Sequence, residues 1–124
     1  MTKKTNILIT GAYGFVGSNL SEFLKKEIDC NLIALDIKQG QGVYDCFFSW
    51  NEIDNICWNE LDAVIHLAGM AHDTKNTTEE SKYFEINTEL TKRVFDLFSA
   101  SKSKNFIFFS HNIIKVILTF CIEF

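Results

Sequence analysis

The stretch "ILITGAYGFVGSNL", Ile7 to Leu20, decides how the rest of the chain is read. An apolar run ends at Thr10, and Gly11, Gly14 and Gly17 follow at intervals of three. Behind them, Ser18–Lys26 reads as a helix with Leu20, Phe23 and Leu24 inward. Gly11 permits a sharp turn out of a strand, and Gly14 lets main chain approach a ligand with no Cβ in the way. Gly17 lets the helix pack close to the sheet. First-turn N–H groups and the positive end of the helix dipole then converge where two linked phosphates can sit.

A glycine triplet also serves helix–strand packing with no ligand at all, so its context matters. Asp36 closes the next apolar run, 19 residues past Gly17. That is about where a carboxylate accepts hydrogen bonds from an adenosine ribose. Together the triplet and the acid point to a dinucleotide rather than to packing glycines beside a surface aspartate. A carboxylate at 36 repels the 2′-phosphate of NADP, so NAD is the expected cofactor. Lys38, two residues on, either softens that preference or is simply solvated.

Outward from this stretch, apolar runs alternate with helical patterns. Residues 6–10, 31–36, 42–48 (the weakest), 61–69 and 105–110 read as five strands, and 51–59 as a short crossover carrying Ile53, Ile56 and Trp58. Thr77-x-x-Glu80 fits a capping box. Tyr83, Ile86, Leu90, Val94 and Leu97 then mark one face of a helix running to about Ser101. Such alternation, with nearly continuous apolar strands, predicts a doubly wound α/β fold: a Rossmann-type parallel sheet covered on both faces.

The 124 residues make one domain rather than two. A net charge of −4 with no basic block argues against nucleic acid. No apolar segment reaches the roughly 20 residues that span a bilayer, and the early apolar run is too short for a secretory signal. Cys30, Cys46, Cys57 and Cys121 have no metal-like spacing, so no metal site is expected. Scattered thiols without an export signal suggest the cytoplasm.

The motifs resemble the NAD-dependent epimerase/dehydratase family, the extended short-chain dehydrogenases. "ITGAYGFVGSNL" is similar to that family's TGxxGxxG signature, "DAVIHLAGMAHDT" to its fourth strand and following loop, and "FEINTELTKRVFDLFSASKSKNFIFFS" to its next helix and fifth strand. Gly69 stands where the family more often has alanine. The resemblance covers about Asn6 to Ser110, and it implies that Gly11, Gly14, Phe15, Val16 and Gly17 line the pyrophosphate and Asp36 the ribose. It places Leu67, Ala68 and Gly69 beneath the cofactor's central part. Asp45 is either an adenine contact or part of a capped turn. His66 is a core histidine in preference to a catalytic one, His72 a loop residue in solvent or near substrate, and Asn87 a support bonded to the fourth strand. The "AGMAHDT" loop suggests enzymes of nucleotide-linked hexosamines.

The family's chemistry moves hydride between a sugar hydroxyl and the nicotinamide, using a tyrosine with a lysine four residues later. Tyr13, Tyr44 and Tyr83 are followed at that spacing by Gly17, Phe48 and Asn87. No catalytic residue is therefore assigned. The family's serine pair after the fifth strand is replaced by Ser110, His111 and Asn112, and an unpatterned apolar tail follows. This predicts a cofactor-binding part, residues 1–110, cut or frame-shifted near Ser110. An atypical tail, 111–124, would then be β-prone and open to self-association. The expected role is the NAD-binding portion of a nucleotide-sugar epimerase, dehydratase or reductase, inactive alone, its sugar substrate belonging to intact relatives. The alternatives are a non-enzymatic NAD-binding module or partner subunit, or an unstable product.

Overall fold

A computed structural model describes residues 3–67, 77–109 and 114–118; the side chains of 77–87, 109 and 114–118 lie outside that description. The strands are β1 (Thr5–Thr10), β2 (Cys30–Asp36), β3 (Cys46–Ser49), β4 (Ala63–His66), β5 (Asn105–Phe109) and β6 (Ile114–Leu118). Two helices, α1 (Phe15–Glu27) and α2 (Thr77–Ser99), lie between them, with 3-10 turns at Trp50–Asn55 and Trp58–Glu60. The sheet order is β3-β2-β1-β4-β5-β6. Neighbours among the first five strands pair parallel. Chain direction across the sheet reverses between β1 and β4, which opens a crevice beyond their carboxyl ends.

The alternation of side chains along each strand builds two cores. Ile7, Ile9, Leu32, Ala34 and Ile65 pack on one face with Ala12 and Leu24 of the α1 side. Leu8, Leu35, Val64 and Phe106 pack on the other with Ile53, Ile56, Trp58, Val94 and Phe98. Each fully buried side chain of this kind contributes about 1.5–3 kcal/mol. The Trp58 indole N–H donates to the Ile53 carbonyl at 3.1 Å, so its burial leaves no orphan donor.

Helix α1 and strand β3 differ from the sequence expectation. The helix expected from Ser18 starts at Phe15, and its buried positions are Gly17, Ser21 and Leu24. Phe23, expected inward, is 58% exposed, because one residue turns the helix by about 100° and Leu24 holds the inward position. The third strand is confined to Cys46–Ser49, and Tyr44 leaves it to pack over the start of α1. The capping box at Thr77 and the inward positions of Tyr83, Ile86 and Asn87 fall outside the described side chains.

The sixth strand is antiparallel, with Phe106 opposite Ile117 and Phe108 opposite Lys115. Only residues 110–113 separate β5 from β6. A parallel return needs a crossover of about a dozen residues, so this connection permits an antiparallel neighbour alone. Part of the apolar tail thus extends the same sheet. Residues 110–113 and 119–124 lie outside the described residues.

Gly17 carries the closest approach in the fold. A Cβ built there would stand 2.5 Å from the Ala12 carbonyl oxygen and 2.7 Å from that of Gly11. Both obstacles are main chain and cannot rotate away. Gly17→Ala is expected to cost about 2–3 kcal/mol through overpacking, read as a lowered midpoint in urea unfolding; an unchanged midpoint would refute the contact.

Candidate functional site

The crevice is built from the carboxyl ends of β1, β2 and β4. Gly11 takes φ 64°, a left-handed conformation that side chains resist, and its N–H donates to the Leu35 carbonyl at 3.0 Å. This bends the chain off β1 while keeping it tied to β2. Gly14 follows with φ −71° and its N–H on the Gly11 carbonyl at 3.1 Å, and it caps α1 without any side-chain hydrogen bond. The first helical bond runs from the Ser18 N–H to the Gly14 carbonyl at 2.9 Å. The N–H groups of Phe15, Val16 and Gly17 precede it and have no partner within the helix. A helix start with unpaired first-turn amides is the kind of terminus at which anions commonly bind.

The Phe15 side chain is 86% exposed, so its contribution to this terminus is its amide. Val16 is half-buried against the α1-side core. Gly14 is exposed, and a Cβ there would sit 3.3 Å from the Gly11 carbonyl, tight but bearable. The turn therefore demands glycine at 11 and 17 for its own fold, whereas at 14 the bare backbone leaves room outward. A pyrophosphate fits that arrangement.

Asp36 ends β2 beside this turn. Its Oδ2 accepts from the Tyr13 N–H at 2.9 Å and its Oδ1 from the Ile37 N–H at 2.7 Å. Each carboxylate oxygen keeps a further lone pair, so the group can hold the turn and accept from a ribose hydroxyl as well. Leu67 sits at the end of β4, buried, its N–H shared between the Thr10 carbonyl at 3.2 Å and the Thr10 Oγ1 at 3.0 Å. The structure thus brings together Gly11, Gly14, Phe15, Val16, Gly17, Asp36 and Leu67. Ala68, Gly69 and His72 lie outside the described residues, as do Ser110, His111 and Asn112.

Asp45 is not part of the crevice. It lies at the opposite end of the sheet, just before β3. Its Oδ2 pairs with Lys25 Nζ at 2.5 Å and accepts the Leu32 N–H at 2.8 Å. Partial burial pushes its carboxyl up, but the Lys25 and Leu32 hydrogen bonds outweigh that and hold it below its ordinary value. Of the two readings, the capped turn describes its surroundings. At the crevice end of β3 the residue level with Asp36 is Ser49, whose N–H and Oγ both donate to Glu52 Oε1 at 3.0 Å.

His66 is a core histidine. Its side chain is fully buried, with Nδ1 2.7 Å from Thr10 Oγ1 and Nε2 2.9 Å from Thr91 Oγ1. The Phe106 and Phe108 rings stack beside it at 6.2 and 5.7 Å. Either neutral tautomer satisfies both hydroxyls, since each can donate or accept. Desolvation pushes its pKa down from 6.5 to about 4. The ring stays neutral and joins β1, β4 and α2 just behind the crevice. Two residues that the sequence reading did not assign also belong here: Thr91, the partner of His66, and Tyr44, whose hydroxyl meets the Ala12 and Gly17 carbonyls. Tyr44 carried no local signal, because its partners lie more than twenty-five residues earlier.

A model of the NAD dependent epimerase/dehydratase family matches residues 7–112. The chain belongs to that family. It is 32% identical over 107 residues to a CDP-abequose synthase of Salmonella muenchen, which covers 82% of the chain and 36% of that protein. The chain therefore spans little more than a third of this relative's length. Its fold matches MoeE5 solved with UDP-glucuronic acid and NAD (TM-score 0.68, 23% identity, 83% of this chain and 36% of that one). It also matches a short-chain dehydrogenase/reductase superfamily protein from Agrobacterium tumefaciens with bound NAD (0.66, 24%, 83% and 31%). A UDP-N-acetylglucosamine 4-epimerase from Bacillus cereus shares the fold likewise (0.63, 22%, 85% and 35%). No helix among the described residues is long and apolar enough to cross a membrane, and no acidic, histidine or cysteine cluster there is placed to hold a metal ion.

Two measurements separate support from site. Gly14→Ala is expected to leave thermal stability within about 1 kcal/mol, since the close neighbour of a Cβ there is the Gly11 carbonyl oxygen at 3.3 Å, while a methyl added beside the unpaired first-turn amides should weaken nucleotide binding. For His66, the unfolded ring takes a proton below pH 6.5 and the folded ring only near 4. Its stabilising contribution is therefore whole above pH 6.5 and falls by about 3 kcal/mol as the pH drops to 4. Urea midpoints measured across that window should show a shallower fall in His66→Gln than in the wild type.

Proposed function

We propose that residues 1–110 form a unit that holds a nicotinamide dinucleotide, NAD in preference to NADP, within a family enzyme acting on nucleotide-linked sugars. The observation that carries this reading is the uncapped start of α1. Three adjacent amides, bare backbone at Gly14 and the Asp36 carboxylate converge at the sheet's reversal point. The first-turn amides would hold the pyrophosphate and Asp36 the adenosine ribose, while Leu67 keeps the floor of the crevice apolar. Bound there, the dinucleotide supplies a hydride donor or acceptor at its nicotinamide ring.

Support for a sugar-nucleotide substrate comes from the relatives, one a CDP-abequose synthase and another a UDP-N-acetylglucosamine 4-epimerase. These 124 residues contain no tyrosine with a lysine four positions on. The neutral, enclosed His66 offers no substitute base. On this reading the chain binds and orients the cofactor and by itself moves no proton from a sugar hydroxyl. The same missing pair favours the second reading, a cofactor-binding module without activity of its own. A cytoplasmic setting accords with free Cys30, Cys46 and Cys57.

Calorimetry tests the proposal. NAD is expected to bind more tightly than NADP, and Asp36→Asn to weaken NAD about tenfold while narrowing the gap to NADP, since a charged hydrogen bond to ribose is lost. No binding of either dinucleotide to folded protein would overturn it. NADH formation from any of several nucleotide sugars by the chain alone would overturn the assignment of a binding role without catalysis.

A further inference from the structure

The anion-binding amides are only as well placed as the peptide units that carry them, and two of those units are gripped from outside the turn. The Tyr44 hydroxyl lies 2.8 Å from the Ala12 carbonyl oxygen and 3.1 Å from that of Gly17. The Ala12 carbonyl and the Tyr13 N–H belong to one peptide unit, and that N–H is held by Asp36 at 2.9 Å. This single peptide is therefore fixed at its oxygen by Tyr44 and at its nitrogen by Asp36. The same phenolic proton is shared with the more distant Gly17 carbonyl oxygen at 3.1 Å, and the N–H of that Gly17–Ser18 peptide donates to the Gly14 carbonyl at 2.9 Å. Between these two held units lie the free amides of Phe15, Val16 and Gly17.

The grip is itself supported. The Tyr13 ring meets Tyr44 edge-on at 5.3 Å and Phe47 at 6.0 Å, and a Cβ on Gly40 would press within 3.0 Å of Tyr13. The connection between β2 and β3 thus wraps the turn as an aromatic sleeve. Burial pushes the Tyr44 phenol up to about 12, so it remains a neutral donor at any working pH.

We propose that Tyr44 is a positioning residue for dinucleotide binding, clasping both ends of the glycine turn and sharing one peptide with the ribose-binding Asp36. Its hydroxyl keeps the two carbonyls turned away from the ligand, so that binding need not order the turn. The inference rests on the dinucleotide-binding reading above.

Tyr44→Phe keeps the ring and removes the clasp. Calorimetry should show roughly fivefold weaker binding of NAD and of ADP-ribose alike, a smaller loss for adenosine, which has the ribose but no phosphates, and an unfolding midpoint little changed. The double variant with Asp36→Asn should lose less than the product of the two single losses, because both act on one peptide. Equal affinities in wild type and Tyr44→Phe would overturn the clasp while leaving dinucleotide binding intact; a wild type that binds no nucleotide would overturn both. Should the variant not fold, proton exchange at the Tyr44 hydroxyl of the wild type decides: a hydroxyl resonance protected from water is expected from its bonds to the Ala12 and Gly17 carbonyls, and free exchange with water would refute the proposal.

Discussion

The structure depends on the contact between Gly17 and the carbonyls of Ala12 and Gly11. With no room for even one carbon at that position, α1 can begin directly above the end of β1 only on a bare backbone. The left-handed bend at Gly11 makes the same demand from the other side. Those two constraints place the first turn of α1 over the carboxyl edge of the sheet. Because no side chain caps it, its amides remain available to whatever lies in the crevice. The site proposed for the cofactor is thus built of main chain, and the side chains around it bond to its peptide units.

Around that turn the sheet supplies rigidity in layers. Thr10 is the pivot: its carbonyl and hydroxyl both take the Leu67 N–H, and the hydroxyl also meets His66. A buried polar side chain is costly unless satisfied, and here the histidine, both threonines and one amide satisfy one another. This network fixes β4 against β1 at the level where the crevice opens. Arg93 and Asp54 join α2 to the first 3-10 turn at 2.7 Å, but both are exposed, and such a pair adds little beside the packing of Val94 and Phe98.

The family match spans the glycine turn whose geometry the structure describes. Matching over 7–112 establishes kinship. The geometry shows why two glycines of this signature are needed, Gly11 for its conformation and Gly17 for its contact. It also explains why Asp45 was ambiguous in sequence. An aspartate near the third strand lies in the crevice or at the far end according to which side of the strand it occupies. Here the strand begins at Cys46, immediately after it.

The sequence by itself determined the order of strands and helices through the fifth strand, the parallel wind of those strands, and a glycine turn at Gly11, Gly14 and Gly17 between β1 and α1. These rest on local rules, namely alternation along a strand, periodicity along a helix and the backbone freedom of glycine. Their signals lie within a few residues of one another. Only the tertiary structure decided that Phe23 faces solvent, that the sixth strand runs antiparallel, that His66 is shared between Thr10 and Thr91, and that Tyr44 holds the glycine turn. Each of those depends on partners distant in the chain, or on where an element begins. A hydroxyl that meets carbonyls 32 and 27 residues away leaves no pattern in the string of letters.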